Sequence, residues 1–170
     1  MYTAFNLLKA TELTLMRRSF FFPWYELTDG QFNYGKLSYE GFFRRTALVE
    51  TANANYRIEH EGFFSRTLKI SSDNGLIGKL QLGLFSKAAL MMHDGFEAEF
   101  SRDSVWNRNY VWNTNRFGEI IKLTEALFSF KKVLTITVDP NSVNLDALPL
   151  LCFLGSHLII LRRNQRRAAR

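Results

Sequence analysis

The sequence predicts a mainly β fold: a closed antiparallel barrel of about twelve strands, built from repeated hairpin units, around a buried hydrophobic C-terminal helix. Three observations lead there. Short segments alternate apolar and polar residues with period two, the pattern of a half-buried strand. A loose repeat near 42 residues keeps the same order along the chain. A nearly uniform apolar stretch then follows the last strand pattern.

The repeat rests on several matches. Arg45-Thr46-Ala47-Leu48 returns as Lys87-Ala88-Ala89-Leu90, Phe64-Ser65-Arg66 as Trp106-Asn107-Arg108, and Gly35-Lys36-Leu37 as Gly78-Lys79-Leu80. A fixed period of this size marks a supersecondary unit used more than once.

Each unit reads as four strands. The first gives 2–8, 12–17, 20–27 and 31–39. The second gives 44–50, then 55–61 with Tyr56, Ile58 and His60 on one face, then 63–71, and 76–84 with Leu80, Leu82 and Leu84 aligned. The third places Phe96, Ala98 and Phe100 opposite Glu97 and Glu99, carries Trp106, Tyr110 and Trp112 on one face of 105–113, and continues through 117–123. Residues 133–138 form one more strand. Asp29-Gly30, Asn74-Gly75 and Asp94-Gly95 are hairpin signals, because glycine accepts the positive φ of tight turns. So many strands in an open sheet would leave exposed edges, and closure removes them.

The period then changes. Residues 147–161 are apolar on every side, so a helix there must be buried all round. Asp146 is the candidate N-cap, and Pro149 falls in the first turn, where proline is tolerated. At about 1.5 Å per residue this helix is about 22 Å long, short of the roughly 30 Å hydrocarbon core of a bilayer. The expectation is a single domain over 1–170, with a central helix at about 146–162 and a basic tail over 162–170.

At 170 residues, one domain is the default. Hydrophobic residues make up 46% and charged residues 22%, as in globular proteins, and the 16 Phe favour a β-rich fold. The formal net charge is +6, but removing Arg162, Arg163, Arg166, Arg167 and Arg170 leaves +1. The basicity belongs to the tail, which argues against a nucleic-acid groove across the body. One cysteine, Cys152, excludes an intrachain disulfide, and the N-terminus lacks the charged start of a secretory signal, so a cytoplasmic location follows.

The repeated hairpins, with aromatic-x-Arg in one strand and Gly-Lys-Leu in its partner, are similar to the superfamily of tubby C-terminal domains, phospholipid scramblases and LURP-one-related proteins. So is the ending: Leu134-Thr135-Ile136-Thr137-Val138, a polar link, Asp146 and the apolar helix. The resemblance spans nearly the whole chain and implies a twelve-stranded barrel around a central helix. Tubby domains bind phosphoinositides, scramblases are associated with lipid movement, and many members have no known activity. No phosphoinositide- or calcium-binding motif of the superfamily is matched, so no functional residue carries over. The arginine-rich tail departs from the pattern.

Motifs of chemistry are weak. Gly30 to Lys36 fits half of a phosphate-binding loop, but Leu37 replaces the required Ser or Thr and a strand replaces the required helix. His60, His93 and His157 are not at metal-ligand spacing. His157, inside the apolar helix, reads as a core histidine bonded to a neighbour or to water. Cys152 reads as a small core hydrophobe, and Glu97 and Glu99 as solvent-facing charge. Trp106, Tyr110 and Trp112 lie beside Arg108 and Arg116 and could stack bases, but their repeat equivalents favour core packing. Arg44-Arg45, Lys131-Lys132 and the tail are the basic clusters.

The reading is a non-enzymatic binding or scaffold domain without metal, cofactor or nucleic acid. Its candidate role is peripheral association with an anionic or phosphoinositide-containing membrane. Arg162, Arg163, Arg166, Arg167 and Arg170 are the candidate lipid contacts. The alternatives are a tail-anchored protein using the C-terminal helix, or a carrier of a small apolar ligand.

Overall fold

The computed structural model describes residues 1–5, 10–41, 46–62, 64–84, 86–104, 106–127 and 129–169. It contains β1 (Glu12–Arg17), β2 (Tyr25–Thr28), β3 (Asn33–Glu40), β4 (Thr46–Thr51), β5 (Asn55–His60), β6 (Thr67–Ser72), β7 (Gly75–Leu82), β8 (Ala88–Met92), β9 (Glu97–Arg102), β10 (Asn109–Thr114), β11 (Gly118–Glu125) and β12 (Lys132–Val138). A short 3-10 turn, Pro140–Ser142, leads to one helix, α1 (Leu148–Ala168).

Every strand pairs antiparallel with its sequence neighbour, and β12 pairs with β1 to close the barrel, with Glu12 opposite Thr137 and Leu15 opposite Leu134. The strand expected over 2–8 does not form in described residues 1–5, and 6–9 lie outside the description. The segment 133–138 supplies the closing strand instead. Alternation gives the inner wall: Leu13, Leu15, Leu37, Val49, Ile58, Leu68, Ile70, Leu80, Leu90 and Phe100 are all buried.

The filling is α1. From Leu150 to Ile160 every residue is buried, which a helix achieves only when surrounded. Its contacts reach separate parts of the wall. Phe153 packs on Gly35 of β3, where an added Cβ would sit 2.7 Å from the ring and 2.5 Å from the Glu50 carbonyl oxygen. Gly155 faces Trp112 of β10 and Leu123 of β11. Gly35 is thus a mid-strand glycine required by the passing helix, and the fragment of a phosphate-loop pattern is a structural one.

Two details of the helix differ from expectation. Asp146 does not cap it: the N-cap is Ala147, with no side-chain bond, and Pro149 lies in the first turn. The helix also does not end near residue 162, but continues to Ala168 through four of the arginines. Arginine is a good helix former and favours the C-terminal end of the helix dipole. Among the described residues, no helix is long and apolar enough to cross a membrane.

Candidate functional site

An antiparallel meander sends alternate connections to opposite ends of the barrel. The connections that follow β1, β3, β5, β7, β9 and β11 share one end with the C-terminal part of α1. The other end carries the remaining turns and the entry to α1. The two ends differ in length, charge and apolarity.

The entry end is built from tight, acidic turns. Gly30, Gly75 and Gly95 have positive φ there, as these hairpin turns require. Asp29 Oδ1 accepts from the Gln31 and Phe32 amides, and Asp94 Oδ1 from the Phe96 amide. Although burial opposes it, these bonds and one from the Tyr34 hydroxyl hold the Asp29 carboxyl below its ordinary pKa. Burial, then Asp29, pushes Tyr34 up to about 12. Asp73, Asp139 and Asp146 add further negative charge at this end.

The exit end is basic. Arg163, Arg166 and Arg167 project there from the last turns of α1, near Arg17 at the end of β1 and Lys131 before β12. The acids nearby are engaged: Glu40 pairs with Arg57 at 2.8 Å, Glu61 with Lys79 at 2.9 Å, and Asp103 with Lys122 at 3.6 Å. A cavity of about 280 Å³ opens beside the helix, walled by Arg17, Tyr25, Phe130, Ile160, Arg163 and Arg167. Two of the Arg17 donors are turned onto the carbonyls of Ser19 and Phe20, at 3.0 and 2.8 Å, which fixes that loop.

The exit end is also studded with apolar tips. Phe20, Phe22, Phe64, Leu84, Trp106 and Phe130 sit on five different connections and are between 62% and 96% exposed. At the entry end, Phe32 and Phe117 are exposed by 51% and 41%.

Of the five expected lipid contacts, the four that are described separate in space. Arg162 is half-buried, not displayed: its guanidinium lies 5.6 Å from the Phe100 ring centre and 5.7 Å from that of Tyr110, two rings stacked on each other. Burial lowers its pKa, opposed by Tyr110, and its Nη1 has no hydrogen-bond partner among the described residues. The Tyr110 hydroxyl donates to Glu125 at 3.2 Å. Arg163, Arg166 and Arg167 are carried outward. Arg170 lies outside the described residues, as do Arg44 and Arg45.

Several other readings are corrected. The aromatic-x-Arg motifs lie in connections: Phe64 and Trp106 stand at tips, so Trp106 is no core residue. Tyr110 and Trp112 are fully buried, hence the three aromatics form no stacking platform. Phe20, Phe22 and Leu84 likewise leave the strands assigned to them.

His157 and Cys152 are placed as the sequence reading has them. His157 is buried with Nδ1 3.1 Å from the Tyr39 hydroxyl; burial, and secondarily His60, pulls its pKa down to about 3. Cys152 is buried and its thiol pKa is pushed up by burial, the reverse of a reactive thiol. Among the described residues no three His, Cys, Asp or Glu side chains gather as a metal site. No family model, curated protein or solved structure matches this chain.

Proposed function

We propose that this domain is a non-enzymatic membrane-docking module that meets an anionic bilayer with the exit end of the barrel. The observation that carries the reading is the charge polarity along the barrel axis. The arginines of α1 stand at one end, while the aspartates of the tight turns stand at the other. Near an anionic surface each basic residue contributes about 1 kcal/mol, within a Debye length of roughly 8–10 Å. The opposite placement of acids orients the molecule, because the entry end is repelled. The cavity beside Arg17, Arg163 and Arg167 has the charge and room for a phosphorylated headgroup. The resemblance to the tubby, scramblase and LURP-one-related superfamily, with its lipid-directed members, favours the same class of role on the cytoplasmic leaflet.

The tail-anchor alternative is weaker, since the apolar turns of α1 are already enclosed by the wall. The carrier alternative suffers from the contacts of Phe153 and Gly155, which occupy the space between helix and wall.

Flotation with phosphatidylcholine vesicles, with and without phosphatidylserine, tests the reading. The full chain is expected to float only with the anionic vesicles and to be released by salt. Arg163→Ser/Arg166→Ser/Arg167→Ser is expected to lose most of that binding while melting normally. No flotation of the wild type, or equal flotation of this variant, overturns the reading.

A further inference from the structure

We infer that the exit end inserts: the connection tips bearing Phe20, Phe22, Phe64, Trp106 and Phe130 wedge into the interfacial layer of the bilayer. This rests on the reading of that end as membrane-facing, and it assigns attachment to apolar anchors as well as to charge.

The first argument is distribution. These side chains come from four separate connections around the rim and are at least 75% exposed. The strands next to them bury their aromatics almost completely, as Phe100, Tyr110 and Trp112 show. The chain therefore sets its most exposed aromatics on one rim, while the exposed pair at the entry end, Phe32 and Phe117, reaches only 51% and 41%. Isolated exposed apolar residues need no explanation, but a group sharing one end marks an interaction surface.

The second argument selects the occupant. The tips are separate protrusions interleaved with cations: Arg66 follows Phe64 by two residues, Arg108 follows Trp106 by two, and Lys131 follows Phe130. Phe and Trp beside Lys and Arg is the stratified chemistry of surfaces that lie at a bilayer interface, rings at the headgroup boundary and cations among the phosphates. A fluid layer accepts several protrusions at once without a matching relief. A second copy fits poorly in either orientation. Rim to rim, it brings like charges together. Rim to entry end, it pairs the cations with the aspartate-bearing turns but gives the aromatics no fluid apolar layer to enter.

Tryptophan fluorescence provides the test. In the full-length Trp24→Phe protein, Trp106 and the enclosed Trp112 remain, and only Trp106 can meet lipid. With phosphatidylcholine–phosphatidylserine vesicles, the expected result is a blue shift and quenching by lipids brominated high on the acyl chain. Both should disappear when Trp106→Phe is added. Phe20→Ser and Phe22→Ser should each weaken partitioning about tenfold, since burying a phenyl side chain changes an equilibrium by that order. Their melting should not change. If the wild type binds by charge but Trp106 is not quenched and the phenylalanine variants bind equally, the inference falls and the electrostatic reading stands. If the wild type binds no vesicle, both fall. A lipid-free dimer that these substitutions dissolve in sedimentation overturns the inference in favour of a second copy.

Discussion

The Trp112 indole donates to the main-chain oxygen of Leu151 at 2.9 Å, and position 155 is where that ring passes the helix. A Cβ on residue 155 would stand 2.7 Å from Nε1 and 3.0 Å from a Leu123 methyl. A wall strand is thereby bonded to the helix backbone within the core, and a mid-helix glycine makes room for it.

Gly155→Ala is accordingly expected to destabilise the fold by about 1–2 kcal/mol, because overpacking of about 1–3 kcal/mol outweighs the gain of up to about 1 kcal/mol from helix propensity. Urea denaturation measures it. An alanine variant more stable than the wild type would show that helix and wall are not in contact there.

Leu154 is fully buried, so Leu154→Asp places a charge inside the barrel without a partner. The penalty is several kcal/mol, against a total stability of roughly 5–15 kcal/mol. Loss of the cooperative melt is the expected outcome. Phe130→Asp, at a position 91% exposed, is the matched control and should melt like the wild type.

The arginines of α1 should divide into two classes. Arg162→Ala removes a cation from the Phe100–Tyr110 pair, and is expected to cost about 1–2 kcal/mol. Arg163→Ala and Arg167→Ala should stay within about 0.5 kcal/mol, as surface substitutions do. Equal melting of all three variants would contradict the stacked placement of Arg162.

Acid should loosen the fold through His157. Its folded pKa of about 3 lies below its ordinary value of 6.5, so the unfolded chain binds the proton more readily. The contribution is intact above pH 6.5 and is lost as pH falls from there towards 3, at no more than about 1.4 kcal/mol per pH unit. His157→Gln should make the dependence of stability on pH shallower in that window. An unchanged slope would exclude this histidine as its source.

Much of the architecture is legible in the residues because burial dictates pattern. Leu68, Ile70 and Leu80 alternate with polar residues since one face of each strand is buried in the core, and the nearly uniform apolarity of 148–160, broken by Ser156 and His157, follows from being enclosed. Apart from the strand expected over 2–8 and the Asp146 cap, the errors gather at the exit end. At the entry end Asp-Gly and Asn-Gly state where strands stop. At the exit end Phe20, Phe64 and Trp106 continue the composition of a strand while the backbone has already turned. An aromatic residue carries the same propensity signal whether it faces core or rim, so local sequence could not separate Trp106 from Trp112. Their neighbours hold a partial signal: Asp103 and Ser104 precede Trp106, and Asn107 follows it, a polar run suited to a loop. The burial of Arg162 left no such trace, because it depends on the register of α1 against Phe100 and Tyr110.

The pairing of β1 with β12 also sets an order of events at the ribosome. The wall closes through strands separated by nearly the whole barrel, and the helix that fills it lies downstream of every strand. A nascent chain therefore presents twelve half-apolar strands before their common packing partner has been synthesised. Such long-range contacts are slow to form, and their intermediates are prone to aggregate. Productive folding of this chain must wait for translation to pass α1, because until then the inner faces of the strands have nothing to pack on.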